Sequence, residues 1–137
     1  MARARALAVV GWLSLVAPAL GQDLRELNFL LFDAAERGRT EEVIGLLEQG
    51  ALVAARNRFG NTALLLAARS GKSKTVKALL EAGSELNQQN LAGSSALLRA
   101  VTARRGRTAR LLTEAGAEVN LANHKGISPL AAAVYNG

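Results

Sequence analysis

The chain has no cysteine. A disulfide framework, a thiolate nucleophile and any cysteine-based metal site are therefore excluded. Histidine occurs once, at His124. One imidazole without clustered carboxylates makes a poor metal site. With no histidine beside them, the serines and threonines do not read as activated nucleophiles. The sequence thus predicts no catalytic residue, no metal and no cofactor. Aromatic side chains are scarce, limited to Trp12, Phe29, Phe32, Phe59 and Tyr135. A core so poor in rings must be packed from alanine and leucine, which suits closely packed helices better than a β-sandwich. The length of 137 residues allows one domain.

A charge-free run covers Ala6 to Leu20 and follows directly on Arg3 and Arg5. It ends in Ala19-Leu20-Gly21, which places small residues at the −3 and −1 positions of a signal peptidase site. Residues 1–21 therefore read as a secretory signal peptide, with cleavage between Gly21 and Gln22 and a periplasmic or secreted product. A transmembrane anchor is the competing reading. The run is shorter than the roughly 20 residues that a spanning helix needs, so no membrane span is expected after cleavage. Arg3 and Arg5 are two of the 17 basic residues, so the chain from Gln22 carries 15 against 11 acidic ones, a net charge of +4. That balance aids solubility and favours acidic partners without predicting nucleic-acid binding.

What the sequence does have is a period of 33. Gly60, Gly93 and Gly126 fall on it, as do Gly50, Gly83 and Gly116, and Gly38 with Gly71. Asn57, Asn90 and Asn123 repeat at the same interval, as do Thr62, Ser95 and Ser128, and Ala34, Ala67, Ala100 and Ala133. Such a period marks a repeat architecture, with one supersecondary unit per repeat. Within residues 57–89, Asn57 to Asn61 reads as a turn and Thr62 as a helix cap. Leu64, Ala67 and Ala68 give the first helix its apolar stripe, and Gly71 ends it in a left-handed cap. Val76, Leu79 and Leu80 stripe the second helix, which Gly83 ends.

These residues resemble the ankyrin repeat. The family pattern appears here as Asn57-x-x-Gly60-x-Thr62-Ala63-Leu64-Leu65-x-Ala67-Ala68, then Gly71, Val76, Leu79-Leu80 and Gly83. It recurs from Asn90 to Asn120, and again from Asn123 through Ser128, Pro129 and Leu130. The resemblance implies an all-α solenoid of stacked helix–turn–helix units with projecting loops. The repeat domain occupies 22–137, with repeats at about 24–56, 57–89, 90–122 and, in part, 123–137. The family's histidine is replaced by Leu65, Leu98 and Ala131, so the ties between adjacent turns must be made otherwise or be weaker. Arg104 stands where the period expects a helix-ending glycine, with Gly106 two residues later, and that turn is expected to be rearranged. Asp23-Leu24-Arg25-Glu26 reads as a capping box that opens an atypical first repeat. The last repeat stops at Gly137 after one helix, which is expected to leave Leu111 and Leu112 uncovered unless the natural chain continues.

In such a stack, function falls on loop tips and first helices. The resulting candidates for partner binding are Arg56, Arg58, Phe59, Asn61, Arg69, Leu91, Ser94, His124 and Lys125. Phe59 leads them, being an aromatic at a tip where packing does not demand one, and aromatics and arginines dominate binding hot spots. Ser70-Gly71-Lys72-Ser73 looks like the end of a phosphate-binding loop, but the required upstream glycine is Leu66 and the segment lies between helices. Arg104, Arg105, Arg107 and Arg110 form the densest basic cluster, with Glu114 placed four residues after Arg110 to offset it. No aromatics are interleaved for base stacking. The sequence thus predicts a monomeric, non-catalytic module that binds another protein outside the cytoplasm. The alternative is an electrostatic binder of an anionic surface through Arg104–Arg110.

Overall fold

A computed structural model describes residues 23–137. The signal-peptide reading of 1–21 and its cleavage point lie outside the described residues. Seven helices and no strand occur among the described residues. They are α1 (Leu24–Arg37), α2 (Thr40–Glu48), α3 (Ala63–Arg69), α4 (Ser73–Glu81), α5 (Ala96–Thr102), α6 (Gly106–Glu114) and α7 (Pro129–Asn136). Helices α1, α3, α5 and α7 pack side by side as one layer, and α2, α4 and α6 form the second. Long loops carry the chain from each pair to the next, as the repeat pattern requires. No described helix is long and apolar enough to cross a membrane.

Each first helix is started by a short polar side chain that takes up a free backbone N–H. Asp23 accepts from the Glu26 amide at 2.9 Å. Thr62, Ser95 and Ser128 accept from the amides of Leu65, Leu98 and Ala131 at 3.3, 3.2 and 3.1 Å. Such caps hold the first turn at a fixed residue, which sets the register of the helix against its neighbours.

Register matters because the layer is built on small residues. Ala34, Ala67 and Ala100, one per repeat, have no exposed surface. With only a methyl group between them, α1, α3 and α5 approach closely. Leu31, Leu64, Val43, Val76, Leu79 and Leu112 fill the space between the two layers in one continuous cluster. Each aliphatic side chain so buried contributes roughly 1.5–3 kcal/mol. The second layer is also tied by hydroxyls. Thr40 pairs with Thr75 at 2.8 Å and Ser73 with Thr108 at 2.7 Å, the same relation one repeat apart. This is the role Ser73 plays in the segment that looks like a phosphate-binding loop.

Two sequence expectations need correction. The turn at Arg104 is not rearranged. Gly71 turns the chain with φ +72, its amide bonded to the Ala68 carbonyl at 3.1 Å and the Lys72 amide to Ala67 at 2.9 Å. Arg104 takes φ +59, and the matching bonds, to Val101 and from Arg105 to Ala100, are 3.0 and 2.8 Å. The packed helices on either side impose the left-handed turn on a residue that disfavours it. Gly106 opens α6 instead of closing α5. The second correction concerns the last repeat. Leu112 is fully buried and Leu111 half-buried, because α6 turns that face onto α4 and α5. The large exposed apolar side chains at that end are Ile127 and, on α7, Leu130, Val134 and Tyr135.

Candidate partner-binding surface

The loop tips are stacked, and asparagines do the stacking. Asn57 Oδ1 accepts from the amides of Phe59 and Asn61, Asn90 Oδ1 from Ala92 and Ser94, and Asn123 Oδ1 from Lys125 and Ile127, all at 2.9–3.0 Å. An asparagine folded onto the backbone in this way fixes its own turn. The turns are then joined to one another. The Leu91 amide donates to the Phe59 carbonyl at 3.1 Å, and the His124 amide to Ala92 at 3.0 Å. Arg56 reaches the Gln89 carbonyl at 2.9 Å, and Gln89 reaches Ala122 at 3.2 Å. Leu65 and Leu98, which occupy the family's histidine positions, are buried and offer no polar side-chain atom, so the ties between turns run through these amides and carbonyls instead.

The tips come close enough that side chains are excluded from some positions. A Cβ on Gly60 would stand 2.8 Å from the Leu91 backbone nitrogen. Its positive φ of +76 disfavours a side chain independently.

Against this frame lies a groove of about 610 Å³ between α1 and the loop of residues 49–62 that joins α2 to α3. Phe29 and Phe32 line it from α1, Leu66 from α3, and Arg56, Arg58 and Phe59 from the loop. Phe59 is 55% exposed and Phe29 70%. The Arg58 guanidinium sits 4.8 Å from the Phe59 ring centre, a cation–π contact that holds the ring at the groove's rim. Arg25, Asp33 and Glu36 supply charge of both signs around it. Apolar rings with a polar border are what a protein–protein contact needs.

Eight of the nine sequence candidates separate into three groups, and Asn61 stands apart. Arg56, Arg58 and Phe59 meet in the groove. Arg69 and Ser94 line a neighbouring depression with Leu98, Arg99, Thr102 and Asn123. Leu91, His124 and Lys125 are exposed at successive tips and line neither hollow. Asn61 is not on the surface. It is buried, and its Oδ1 accepts from Asn90 Nδ2 at 2.9 Å. Phe29, Phe32 and Arg99 lie outside the residues named from the sequence. Phe29 and Phe32, spaced to share one face of α1, were the available signal; the leucines beside them make the same helix read as all core.

The basic cluster is also unlike the expectation. Arg104, Arg105, Arg107 and Arg110 are all exposed. The ion pairs among the described residues are Arg25–Asp23, Arg37–Asp33 and Arg39–Glu42, so the expected Arg110–Glu114 pair is not made. Arg105 is the one tied down, its Nε bonding the Arg69 carbonyl at 3.1 Å. No group of three or more histidine, aspartate or glutamate side chains converges among the described residues.

The sequence matches the family model for ankyrin repeats in three copies over two overlapping stretches, residues 4–90 and 31–123. The first of these begins inside the segment that reads as an export signal. No curated protein matches the chain. The family matches cover well over half of the sequence and agree with the helix pairs, the caps and the stacked tips; the chain belongs to the ankyrin repeat family, whose repeats mediate protein–protein interaction.

Proposed function

We propose that the chain is a non-enzymatic interaction module that acts outside the cytoplasm as scaffold, stabiliser or inhibitor of one partner protein, bound at the groove between α1 and the α2–α3 loop. The observation that carries this reading is the convergence of three phenylalanines, two of them largely exposed, on one groove bordered by Arg25, Arg56 and Arg58. Leaving two rings in water forgoes burial worth a few kcal/mol, and packing does not require either ring to be there. Action in the periplasm or outside the cell rests on the amino-terminal pattern of Arg3, Arg5, the apolar run and Ala19-Leu20-Gly21.

A second reading is favoured by one observation, the absence of any carboxylate paired to the Arg104–Arg110 cluster. Four exposed arginines that make no ion pair among the described residues suit an anionic surface or polyanion. Salt separates the two readings, because exposed charges are screened within about 10 Å at 0.1 M. The deciding experiment is a pull-down from native cell-envelope extract on the protein, washed at low and then high salt. One protein retained at high salt in fixed ratio supports the groove. Retention of many acidic species at low salt only supports the arginine edge. Mass spectrometry of the exported protein tests its location: the expected first residue is Gln22, and soluble cytoplasmic protein that keeps Met1 overturns that part.

A further inference from the structure

Beside the aromatic groove lies the depression of about 460 Å³ that Arg69 and Arg99 share. Arg99 is half-buried, and its Nε is sealed from solvent without bonding any acceptor. A desolvated donor left unpaired is costly, and more so when it belongs to a charged group. Burial and then the adjacent charge of Arg69 both depress the Arg99 pKa, with Glu36 acting in the opposite direction. Glu36 does not close an ion pair with either arginine at 4.0 Å or less. The repeats around them bring no other relief. Neither the stretch between Glu48 and Glu81 nor that between Glu85 and Glu114 contains an acidic residue. Two like charges and an orphaned N–H are thus held together in a concavity whose lining carries no carboxylate.

A carboxylate would supply the missing counter-charge, since its two oxygens accept guanidinium N–H groups in a planar, charge-assisted pair. The position of the depression adds a second requirement. Leu66, which lines the aromatic groove, falls one repeat before Arg99, and Glu36, which also lines it, falls one repeat before Arg69. Packed helices stand about 8–10 Å apart, and an extended peptide advances about 3.3 Å per residue. A ligand that spans both hollows therefore places its two anchors about three residues apart.

We propose that the Arg69–Arg99 depression receives an aspartate or glutamate side chain of the partner protein, about three residues from an aromatic or aliphatic side chain that enters the Phe29–Phe32–Phe59 groove. The proposal rests on the interaction reading above and names the chemistry of the partner's binding segment.

The test is selection of random short peptides on the immobilised full-length protein, followed by affinity measurement of the enriched sequences on variants. Enriched peptides are expected to carry an acidic residue two to four positions from a large apolar one. Arg69→Gln with Arg99→Gln should bind them at least tenfold more weakly and, when itself used for selection, lose the acidic bias while keeping the apolar one. Phe59→Ala should do the reverse. Arg99→Lys, which keeps the charge but not the paired donors, should fall between. Circular dichroism melting checks that each variant is folded, and if the double variant is not, the composition selected by the natural protein still decides. Enrichment of apolar peptides without acidic bias overturns the carboxylate site and leaves the interaction reading standing. Enrichment of no peptide at all overturns both the site and the groove reading beneath it.

Discussion

The side-chain amide of Asn90 donates to that of Asn61 across 2.9 Å, in the buried seam between the second and third repeats. The other end of the same Asn90 amide accepts from the Ala92 and Ser94 backbone. One side chain therefore satisfies three polar groups. Asn90→Ala leaves the Asn61 oxygen and those two amides in search of water. An unsatisfied buried partner costs about 1–3 kcal/mol, so urea denaturation should show a loss of at least about 2 kcal/mol. Asn123 makes the corresponding backbone bonds in a more exposed turn. Asn123→Ala should cost about 1 kcal/mol or less, the net worth of an ordinary hydrogen bond. Equal losses at the two positions would show that the seam is not what Asn90 stabilises.

Arg104 pays for a conformation that glycine adopts freely, and its repeat partner Gly71 shows the same turn without the strain. A left-handed backbone costs a residue with a Cβ roughly 1–2 kcal/mol. Arg104→Gly should therefore raise stability by about 1 kcal/mol, after the greater freedom of glycine in the unfolded chain is subtracted. Thermal melting should move up by a few degrees. The exposed Arg104 side chain makes no ion pair that would be lost. An unchanged or lower melting temperature would mean that the turn relaxes in solution.

Phe29, Phe59 and Arg58 divide stability from binding. Phe29 and Phe59 are mostly exposed, and surface substitutions away from special features usually change stability by less than about 0.5 kcal/mol. Phe29→Ala, Phe59→Ala and Arg58→Ala should each leave the melting temperature within a degree or two. Central interface aromatics typically contribute about 2 kcal/mol or more, roughly thirtyfold in affinity. Isothermal titration with the captured partner should show a loss of that order for either phenylalanine, and a smaller one for Arg58→Ala, which only steadies the Phe59 ring. Undiminished affinity in all three would move the contact away from this groove.

The fold was legible because its determinants are local and periodic. Thr62, Ser95 and Ser128 cap helices by bonds three residues long, and Ala34, Ala67 and Ala100 keep one face small, so both signals sit in a short window and recur. The groove was half legible. Phe59 stood out as a ring at a turn, but Phe29 and Phe32 belong to a helix whose leucines are core, and which of its sides meets the next loop is a property of the stack. Asn61 shows the converse difficulty. A polar residue at a tip reads as surface until the next tip is seen to lie on it. Arg99 was hidden for the same reason, since its burial comes from neighbours one repeat away. At Arg104 residue preference argues for a break, but the packed helices on both sides outweigh a penalty of about 1–2 kcal/mol.

The bond from the Leu91 amide to the Phe59 carbonyl has a consequence for recognition itself. Phe59 is displayed on a turn whose backbone is clamped from within by Asn57 and from outside by the next repeat. A loop frozen before the ligand arrives loses little freedom on contact, so more of the contact energy survives as affinity. Recognition strength is then set partly in the third repeat, by a Leu91 backbone amide that lies outside the groove lining. Loosening that repeat would surface as faster dissociation from a groove whose every contact atom is intact.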